Sequence, residues 1–128
     1  MFGRALKEDR LMNFFDSNGR ATCYSPDGEH LYLWTGEPVG HFSDNKVYSF
    51  SGRLLGWIGE GWLYDRQNRP ALFSADASGG PTRPMRQTMP MKAMRQMRPM
   101  KAMRQMAHMR PLRSLSWSSC ANALYFRQ

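Results

Sequence analysis

The residues able to do covalent chemistry in this sequence are its two cysteines and three histidines. A cysteine activated by a neighbouring histidine is a nucleophile, and His30 or His41 could reach Cys23 if they lie on adjacent hairpins. Their spacing does not require such a pair, because an inert buried cysteine and a structural histidine satisfy the same pattern. The hydroxyl-rich stretch 114–119 has no base at a telling distance. We therefore expect no catalytic residues and no enzyme activity.

Soft-metal chemistry is the next reading, because methionines recur at Met-x-x-Met spacing between residues 85 and 109. Thioether and imidazole groups suit Cu(I), and His108 lies beside Met109 in this stretch. The same stretch is strongly basic and would repel a cation. We expect no metal and no cofactor. We also expect Cys23 and Cys120 to be free thiols, since two cysteines do not make a disulfide framework.

The charge of the chain is divided unevenly along its length. Residues 1–80 hold eight Lys and Arg and all ten Asp and Glu, whereas residues 81–128 hold ten Lys and Arg and no acid. The change falls at 78–81, a Ser-Gly-Gly-Pro cluster typical of a junction. A basic tail of this kind indicates a polyanion, an acidic protein face or an anionic membrane as partner. The alternative is a tail that only confers solubility or neutralises its own acidic body.

Residues 84–116 form a tail with a period of three. A nine-residue unit repeats almost unchanged, PMKAMRQMR at 90–98 and PMKAMRQMA at 99–107. One frame, here called the apolar edge, carries Met or Leu with Thr88 as its gap, and a second, the basic edge, carries Lys or Arg. The apolar edge comprises Met85, Met91, Met94, Met97, Met100, Met103, Met106, Met109, Leu112 and Leu115. The basic edge comprises Arg83, Arg86, Lys92, Arg95, Arg98, Lys101, Arg104, Arg110 and Arg113.

The backbone that best fits this period is polyproline II, which has three residues per turn and tolerates proline. A β-strand would scatter the methionines over both faces, and an α-helix would drift about 60° at each step of three. Short helices starting at Pro90 and Pro99 are one alternative, because Met, Lys, Ala, Arg and Gln are good helix formers. Disorder is the other. We expect an extended triplet tail whose amides need partners from a β-edge or groove.

The first part of the chain contains four related units, here called petals, offset by 17, 16 and 16 residues. Each petal begins with an apolar residue and an aromatic one, and four positions later has a residue able to adopt positive φ. A charged residue and a second apolar stretch follow, such as LLGWI at 54–58. The petal aromatics are Phe15, Tyr32, Tyr48 and Tyr64. The hairpin-turn residues are Gly19, Gly36, Gly52 and Asn68.

Each petal is predicted to be a β-hairpin, since aromatic-rich runs flank turn signals such as Asn18-Gly19 and Ser51-Gly52. A lone hairpin is marginal in water, so four in series are expected to close around a common axis. The predicted fold is all-β, with eight short antiparallel strands and pseudo-four-fold symmetry over 12–77. We expect the petal aromatics to point to the axis and form the core. The alternative is an open ring whose phenol groups line a small-ligand pocket.

The segments LYLWTGEPVG, VYSFSGRLLGW and SADASGGP, and a triplet tail ending SLSWS, give the sequence a family resemblance. It resembles the four-fold β-flower proteins, small bacterial proteins of unassigned function, over about residues 13–118. The resemblance implies four hairpin petals and a basic, proline-containing tail, and it implies no catalytic residues. Tails of this type are expected to have valine where this chain has methionine. The predicted divisions are an N-terminal segment 1–11, the four-hairpin domain 12–77, a Gly/Pro junction 78–83, the tail 84–116 and a C-terminal segment 117–128.

We expect no membrane-spanning segment and no signal peptide in this sequence. No apolar run approaches the about 20 residues that span a bilayer. The start, MFGRALKEDRLMNFF, has charges where a signal peptide needs an uninterrupted apolar stretch. We expect a cytoplasmic protein with no integral membrane association.

Two functions compete at this point. The first is a non-catalytic protein-interaction or assembly module. In it, the apolar edge docks on the petals of its own chain or of a neighbouring copy. The basic edge then faces water or an anionic partner. The second is sequence-independent binding of RNA, DNA or another polyanion along the basic edge, with Trp117, Tyr125 and Phe126 stacking on bases. Binding to an anionic membrane through the Met/Arg stripe is a further alternative.

Overall fold

The computed structural model describes residues 11–128, which form eight short strands and one 3-10 helix. The predicted segment 1–11 therefore lies outside the described residues except for Leu11. The strands are β1 (Met12–Phe15), β2 (Ala21–Ser25), β3 (His30–Leu33), β4 (Pro38–Ser43), β5 (Lys46–Tyr48), β6 (Leu54–Gly59), β7 (Trp62–Tyr64) and β8 (Pro70–Ser74). The 3-10 helix, here called the C-terminal helix, spans Ala123–Arg127. None of the helical structure in residues 11–128 is long and apolar enough to cross a membrane.

The eight strands close into one antiparallel barrel. Each strand pairs with the next one along the chain, and β8 returns to pair with β1 through Phe14 opposite Ser74 and Phe15 opposite Phe73. Closure satisfies the backbone groups that a sheet edge would expose. The predicted all-β fold of four consecutive hairpins is confirmed.

The hairpin turns need a left-handed backbone, which explains their composition. Gly19, Gly36, Gly52 and Asn68 have φ of 81°, 92°, 90° and 63°. The amide of each donates to the carbonyl three residues earlier, for example Gly36 N–H to Leu33 O at 2.9 Å. The register shifts by one residue beside each turn, as between Leu31 and Tyr32. All four predicted turn residues therefore occupy turns.

The barrel axis is filled by the residue that precedes each petal aromatic. Phe14, Leu31, Val47 and Leu63 are fully buried in one cluster. The petal aromatics are also buried, but they lie outside this cluster, so the prediction that they point to the axis is wrong. The reason is the two-residue period of a strand, which turns consecutive side chains to opposite faces. The apolar residue of each apolar–aromatic pair faces the axis, and the aromatic faces outward.

The C-terminal helix completes the core from outside the hairpins. Tyr125 is fully buried in the axial cluster, and its hydroxyl donates to Tyr64 O at 2.8 Å. The strand position opposite Val47 is Gly56, whose added Cβ would lie 2.9 Å from the Tyr125 hydroxyl. Phe126 lies near Gly40, where an added Cβ would be 3.7 Å from its ring, an ordinary van der Waals contact. The inward-facing Gly56 thus leaves space for the Tyr125 hydroxyl, and Phe126 packs beside Gly40.

The tail contains neither helix nor strand over residues 84–113. The short-helix alternative is therefore not the one adopted. Contacts with the barrel recur at multiples of three residues along the tail, as described below, which is typical of polyproline II. The polyproline II geometry itself stays a prediction.

Candidate interaction surface

The tail is bound to the barrel at each hairpin turn in succession. Four tail amides donate to the carbonyls of the four turn residues. The bonds are Gln87 N–H to Gly19 O at 2.8 Å, Gln96 to Gly36 at 2.9 Å, Gln105 to Gly52 at 2.6 Å and Ser114 to Asn68 at 3.2 Å. The donors are nine residues apart, so one nine-residue tail unit matches one petal. The tail therefore follows the petals in chain order.

The turn glycines admit the tail as well as the turn. An added Cβ on Gly36 would lie 2.0 Å from Met94 O, and one on Gly52 would lie 2.0 Å from Met103 O. Real Cβ atoms do not approach so closely, so only glycine permits this contact. At the fourth petal a side chain takes its place: Asn68 Nδ2 donates to Pro111 O at 2.7 Å.

Proline occupies tail positions where the barrel does not require an amide donor. In the third tail frame, Ala93 N–H donates to Trp34 O at 3.0 Å, and Ala102 N–H donates to Phe50 O at 2.9 Å. Pro90 belongs to the same frame but contributes its carbonyl, which accepts from Trp34 Nε1 at 2.7 Å. The third frame is therefore the one that faces the barrel backbone.

The basic edge lies over the petal aromatics. One arginine covers one ring in each petal, again at nine-residue spacing. The distances from the guanidinium carbon to the ring centre are 5.6 Å for Arg86 and Phe15, 5.7 Å for Arg95 and Tyr32, 5.8 Å for Arg104 and Tyr48, and 4.7 Å for Arg113 and Tyr64. These are cation–π distances. The outward faces of the petal aromatics are thus binding positions for the tail.

The other basic-edge residues also contact the barrel. Lys92 Nζ is 4.4 Å from the centre of Tyr24, and burial lowers the pKa of this lysine, with Arg95 lowering it further. Lys101 pairs with Glu29 at 2.7 Å. The remaining contacts are Arg83 with Trp62, Arg98 with the Tyr32 hydroxyl, and Arg110 with Trp57 and Tyr64.

The apolar edge faces away from the barrel. Its side chains from Met85 to Leu112 are 91–95% exposed, and Leu115 is 70% exposed. The expectation that this edge docks on its own chain is therefore wrong, and so is the expectation that the basic edge faces only water or a partner. The petals present aromatic rings, whose faces attract a guanidinium or ammonium electrostatically. The apolar edge, which was expected to be covered, is therefore the edge that is exposed to solvent.

The C-terminal aromatics pack against the barrel to different degrees. Tyr125 is fully buried, and Phe126 packs against the axial cluster. Trp117 packs edge-on against Trp62, with ring centres 5.5 Å apart. Tyr125 therefore cannot stack on bases, whereas Phe126 and Trp117 are only partly buried, and a stacking role for those two stays a prediction.

The cysteines and histidines do not come together as a nucleophile and base. Cys23 lies in the axial core beside Leu33 and Phe14, and burial raises the pKa of its thiol far above the usual range. His30 instead binds Asp27, with Nδ1 2.7 Å from Oδ2. Burial tends to raise the pKa of Asp27, but the hydrogen bonds from His30 and Glu29 outweigh it and lower the pKa to about 2.

Within residues 11–128, Nε2 of His41 is the one buried histidine nitrogen that has no hydrogen-bond partner. The residue is 1% exposed, its Nε2 has no hydrogen bond, and its ring stacks near Tyr48 and Phe50 at 6.0 and 5.5 Å. Burial lowers its pKa, and the positive charge of Lys101 lowers it further.

The free cysteines Cys23 and Cys120 are not joined by a disulfide. Among residues 11–128 no three His, Cys, Asp or Glu side chains are grouped to hold a metal ion.

The sequence reasoning missed the register between tail and petals. The triplets Met85-Arg86-Gln87, 94–96 and 103–105 and the related 112–114 occur at nine-residue intervals. Their number equals the number of petals, and that equality was the available signal. It predicts one tail unit per petal, and the structure adds that the Arg lies on the aromatic and the Gln or Ser amide on the turn.

The comparisons with known proteins give one match. A search of curated proteins finds no similar protein. A search of solved structures likewise finds none. The family model described as 4-fold beta flower protein matches residues 12–126, which include the barrel, the tail and most of the C-terminal helix. With a closed ring of four hairpins and a tail that follows them petal by petal, this chain belongs to the four-fold β-flower family.

Proposed function

We propose that the protein is a non-catalytic interaction module in which the barrel holds the tail so that the apolar edge can bind a protein partner. The observation that carries the proposal is the exposure of nine apolar side chains, from Met85 to Leu112, at 91–95%. Continuous exposed apolar surface of this kind marks interaction sites in soluble proteins. The proposal places the protein in the cytoplasm, where free thiols persist.

The tail backbone is ordered before any partner arrives. Its amides are bonded to the petals at Gln87, Gln96 and Gln105, and its arginines rest on the petal aromatics. A partner therefore does not have to order this backbone, which lowers the entropic cost of binding. Methionine side chains are flexible and polarizable, so the edge can adapt to an irregular apolar surface.

The charge around the edge defines the chemistry of the partner. Residues 81–128 carry ten Lys and Arg and no acid. In residues 11–128, Lys101 and Arg113 are the basic-edge residues paired with carboxylates. A protein surface that is apolar at its centre and acidic at its margins fits this edge by charge complementarity. A second copy of the chain is a less suitable partner, because it would bring a second basic tail.

The test is site-specific photocrosslinking in cells, with the crosslinker at Leu112. This residue belongs to the apolar edge and is 94% exposed. The matched control position is Leu124, which is 52% exposed and lies on the C-terminal helix. We expect a discrete protein adduct at Leu112, absent at Leu124 and absent when the edge methionines are replaced by Gln. The adduct's sequence then shows whether the contacted surface is apolar with acidic margins.

Several outcomes overturn the proposal. Adducts at both positions indicate nonspecific contact, and adducts that survive the Gln replacements indicate that the edge is not the contact. A self-adduct, with a dimer in light scattering that dissociates in the Gln variant, replaces the foreign partner by a second copy.

Polyanion binding along the basic edge is a second candidate, and one observation favours it. Arg86, Arg95 and Arg104 are exposed and have no carboxylate partner within residues 11–128. Their guanidiniums are held on rings at nine-residue spacing and could donate hydrogen bonds to phosphate oxygens. Fluorescence anisotropy with a single-stranded DNA oligonucleotide at low and high salt tests this. Binding that falls steeply with salt and is unchanged by the Met-to-Gln replacements supports the polyanion candidate over the first.

A further inference from the structure

We infer that the apolar edge is a site of reversible methionine oxidation by peroxides, and that oxidation switches off docking through this edge. The modification stands on the geometry of the tail alone. The regulatory consequence rests on the proposed function.

The thioethers of the edge are open to solvent. The edge methionines are 91–95% exposed, so an oxidant in water reaches each sulfur directly. None of them belongs to a hydrophobic cluster of the described residues. A sulfoxide oxygen added to these sulfurs therefore meets water and not protein.

The fold does not depend on the state of these sulfurs. The tail is held by backbone amides of its third frame and by the cations of its basic edge, and neither contains sulfur. Oxidation of a core methionine usually disrupts packing. Here the oxidisable groups are separated from the groups that hold the structure, so the edge can change chemically while the barrel and the tail stay in place.

The chemistry is a two-electron oxygen transfer. A sulfur lone pair attacks one oxygen of the peroxide, the O–O bond breaks, and an S–O bond forms. Proton transfer to the leaving oxygen yields water from hydrogen peroxide, so the sulfur is oxidised and the peroxide reduced. The product is a polar hydrogen-bond acceptor, and methionine sulfoxide reductases reverse the change. An apolar edge thus becomes a polar one.

The two thiols are less reactive toward the oxidant than an exposed cysteine, since Cys23 is fully buried and Cys120 half-buried. Burial raises the pKa of both Cys23 and Cys120, although a hydrogen bond from Ser118 opposes the effect at Cys120. Because the thiolate is the reactive form, a raised pKa slows thiol oxidation. Met12 supplies an internal control among the methionines, since it is partly buried against the axial cluster.

The experiment is a hydrogen peroxide titration of the full chain, read by peptide mass spectrometry and by circular dichroism. We expect each edge methionine to gain one oxygen at a rate at least about three-fold higher than Met12. The circular dichroism spectrum should stay unchanged, and methionine sulfoxide reductase should remove the oxygen. Equal rates at Met12, loss of the folded spectrum during edge oxidation, or oxidation that reductase does not reverse would overturn the modification.

Crosslinking at Leu112 separates the modification from the function, because Leu112 is on the edge and has no sulfur. If the edge oxidises selectively and the Leu112 adduct disappears and returns with reductase, both parts hold. If the adduct persists on the oxidised protein, the switch is wrong. If no adduct forms before oxidation, the proposed function fails while the modification stands on its own titration.

Discussion

At the scale of single residues, the turn glycines meet two requirements at once. Gly36 has φ of 92°, and its missing Cβ leaves room for Met94 O at 2.0 Å from where that atom would be. The first requirement belongs to the hairpin and the second to the tail. Asn68 meets the first with φ of 63° and replaces the second by a side-chain hydrogen bond to Pro111. One residue type thus links the stability of a petal to docking of the tail.

Substitution of Gly36 by Ala should weaken both the hairpin of its petal and the docking of the tail on that petal. A left-handed backbone costs a residue with a Cβ about 1–2 kcal/mol, and the new Cβ must also displace Met94 O. We expect a lower free energy of unfolding in urea and faster hydrogen exchange at the Gln96 amide, which donates to Gly36 O. The matched control is Gly59→Ala, because a Cβ there has Arg113 Nη2 at 3.7 Å as its nearest contact. Equal effects of the two substitutions would contradict the assignment.

His41 should make stability depend on pH. Because burial lowers its pKa in the folded chain, the unfolded chain binds the proton more tightly. Stability is therefore fully present above the ordinary histidine pKa of 6.5 and falls as the pH drops below it. We expect the urea midpoint to be lower at pH 5.5 than at pH 7.5, and we expect His41→Phe to reduce that difference. The contribution of Asp27, whose pKa is lowered from 3.8 to about 2, is lost only at more acidic pH.

At the scale of elements, the C-terminal helix acts as a ninth contributor to an eight-stranded core. The Tyr125 hydroxyl occupies space left by Gly56, and Phe126 packs beside Gly40; both glycines are inward-facing positions of even-numbered strands. An eight-stranded barrel has an interior just wide enough for side chains to fill. In this chain the strands do not fill it alone, so the barrel and the C-terminal segment are expected to unfold together.

Tyr125→Ala should therefore be among the most destabilising single substitutions in the chain. It removes a fully buried ring and the hydroxyl that donates to Tyr64 O. Large-to-small aromatic changes in a core cost about 3–5 kcal/mol. Leu124→Ala removes a neighbouring side chain that is 52% exposed and should change the unfolding free energy by much less. Urea denaturation followed by tryptophan fluorescence measures both, and similar losses would show that Tyr125 does not complete the core.

The hairpins were predictable from the sequence because they are local, and the packing around them was not. Turn signals such as Asn18-Gly19 and the petal offset are short-range features that predict eight strands and closure. Strand alternation alone cannot say which of Phe14 and Phe15 faces the axis, because both are apolar and aromatic. The role of Tyr125 could not be predicted either, since it fills a glycine space more than 60 residues away along the chain. The orientation of the tail depended on the same long-range contacts.

At the scale of the whole molecule, the tail divides into three functions along three frames. The third frame bonds to the backbone of the petals, the basic edge covers their aromatic rings, and the apolar edge is left to solvent. The negative charge of residues 1–80 and the positive charge of residues 81–128 therefore meet within one chain, through pairs such as Lys101 with Glu29. Binding of the tail to the barrel and display of the apolar edge are separate properties that can be changed independently.

Because the apolar edge and the basic edge have separate roles, two variants with multiple substitutions should differ in their effect on the docking of the tail. In the first, the eight edge methionines become Gln; in the second, Arg86, Arg95, Arg104 and Arg113 become Gln. Surface changes without contacts alter stability by about 0.5 kcal/mol or less each, in either direction, so the eight partly cancel. Loss of a cation–π pair costs about 0.5–1 kcal/mol at an exposed site, and the four losses add. We expect the methionine variant to keep slow hydrogen exchange at the Gln96 and Gln105 amides and the arginine variant to lose it, with a lower urea midpoint. The opposite order would mean that the thioethers hold the tail after all. The apolar edge would then be part of the fold and not a surface left for a partner.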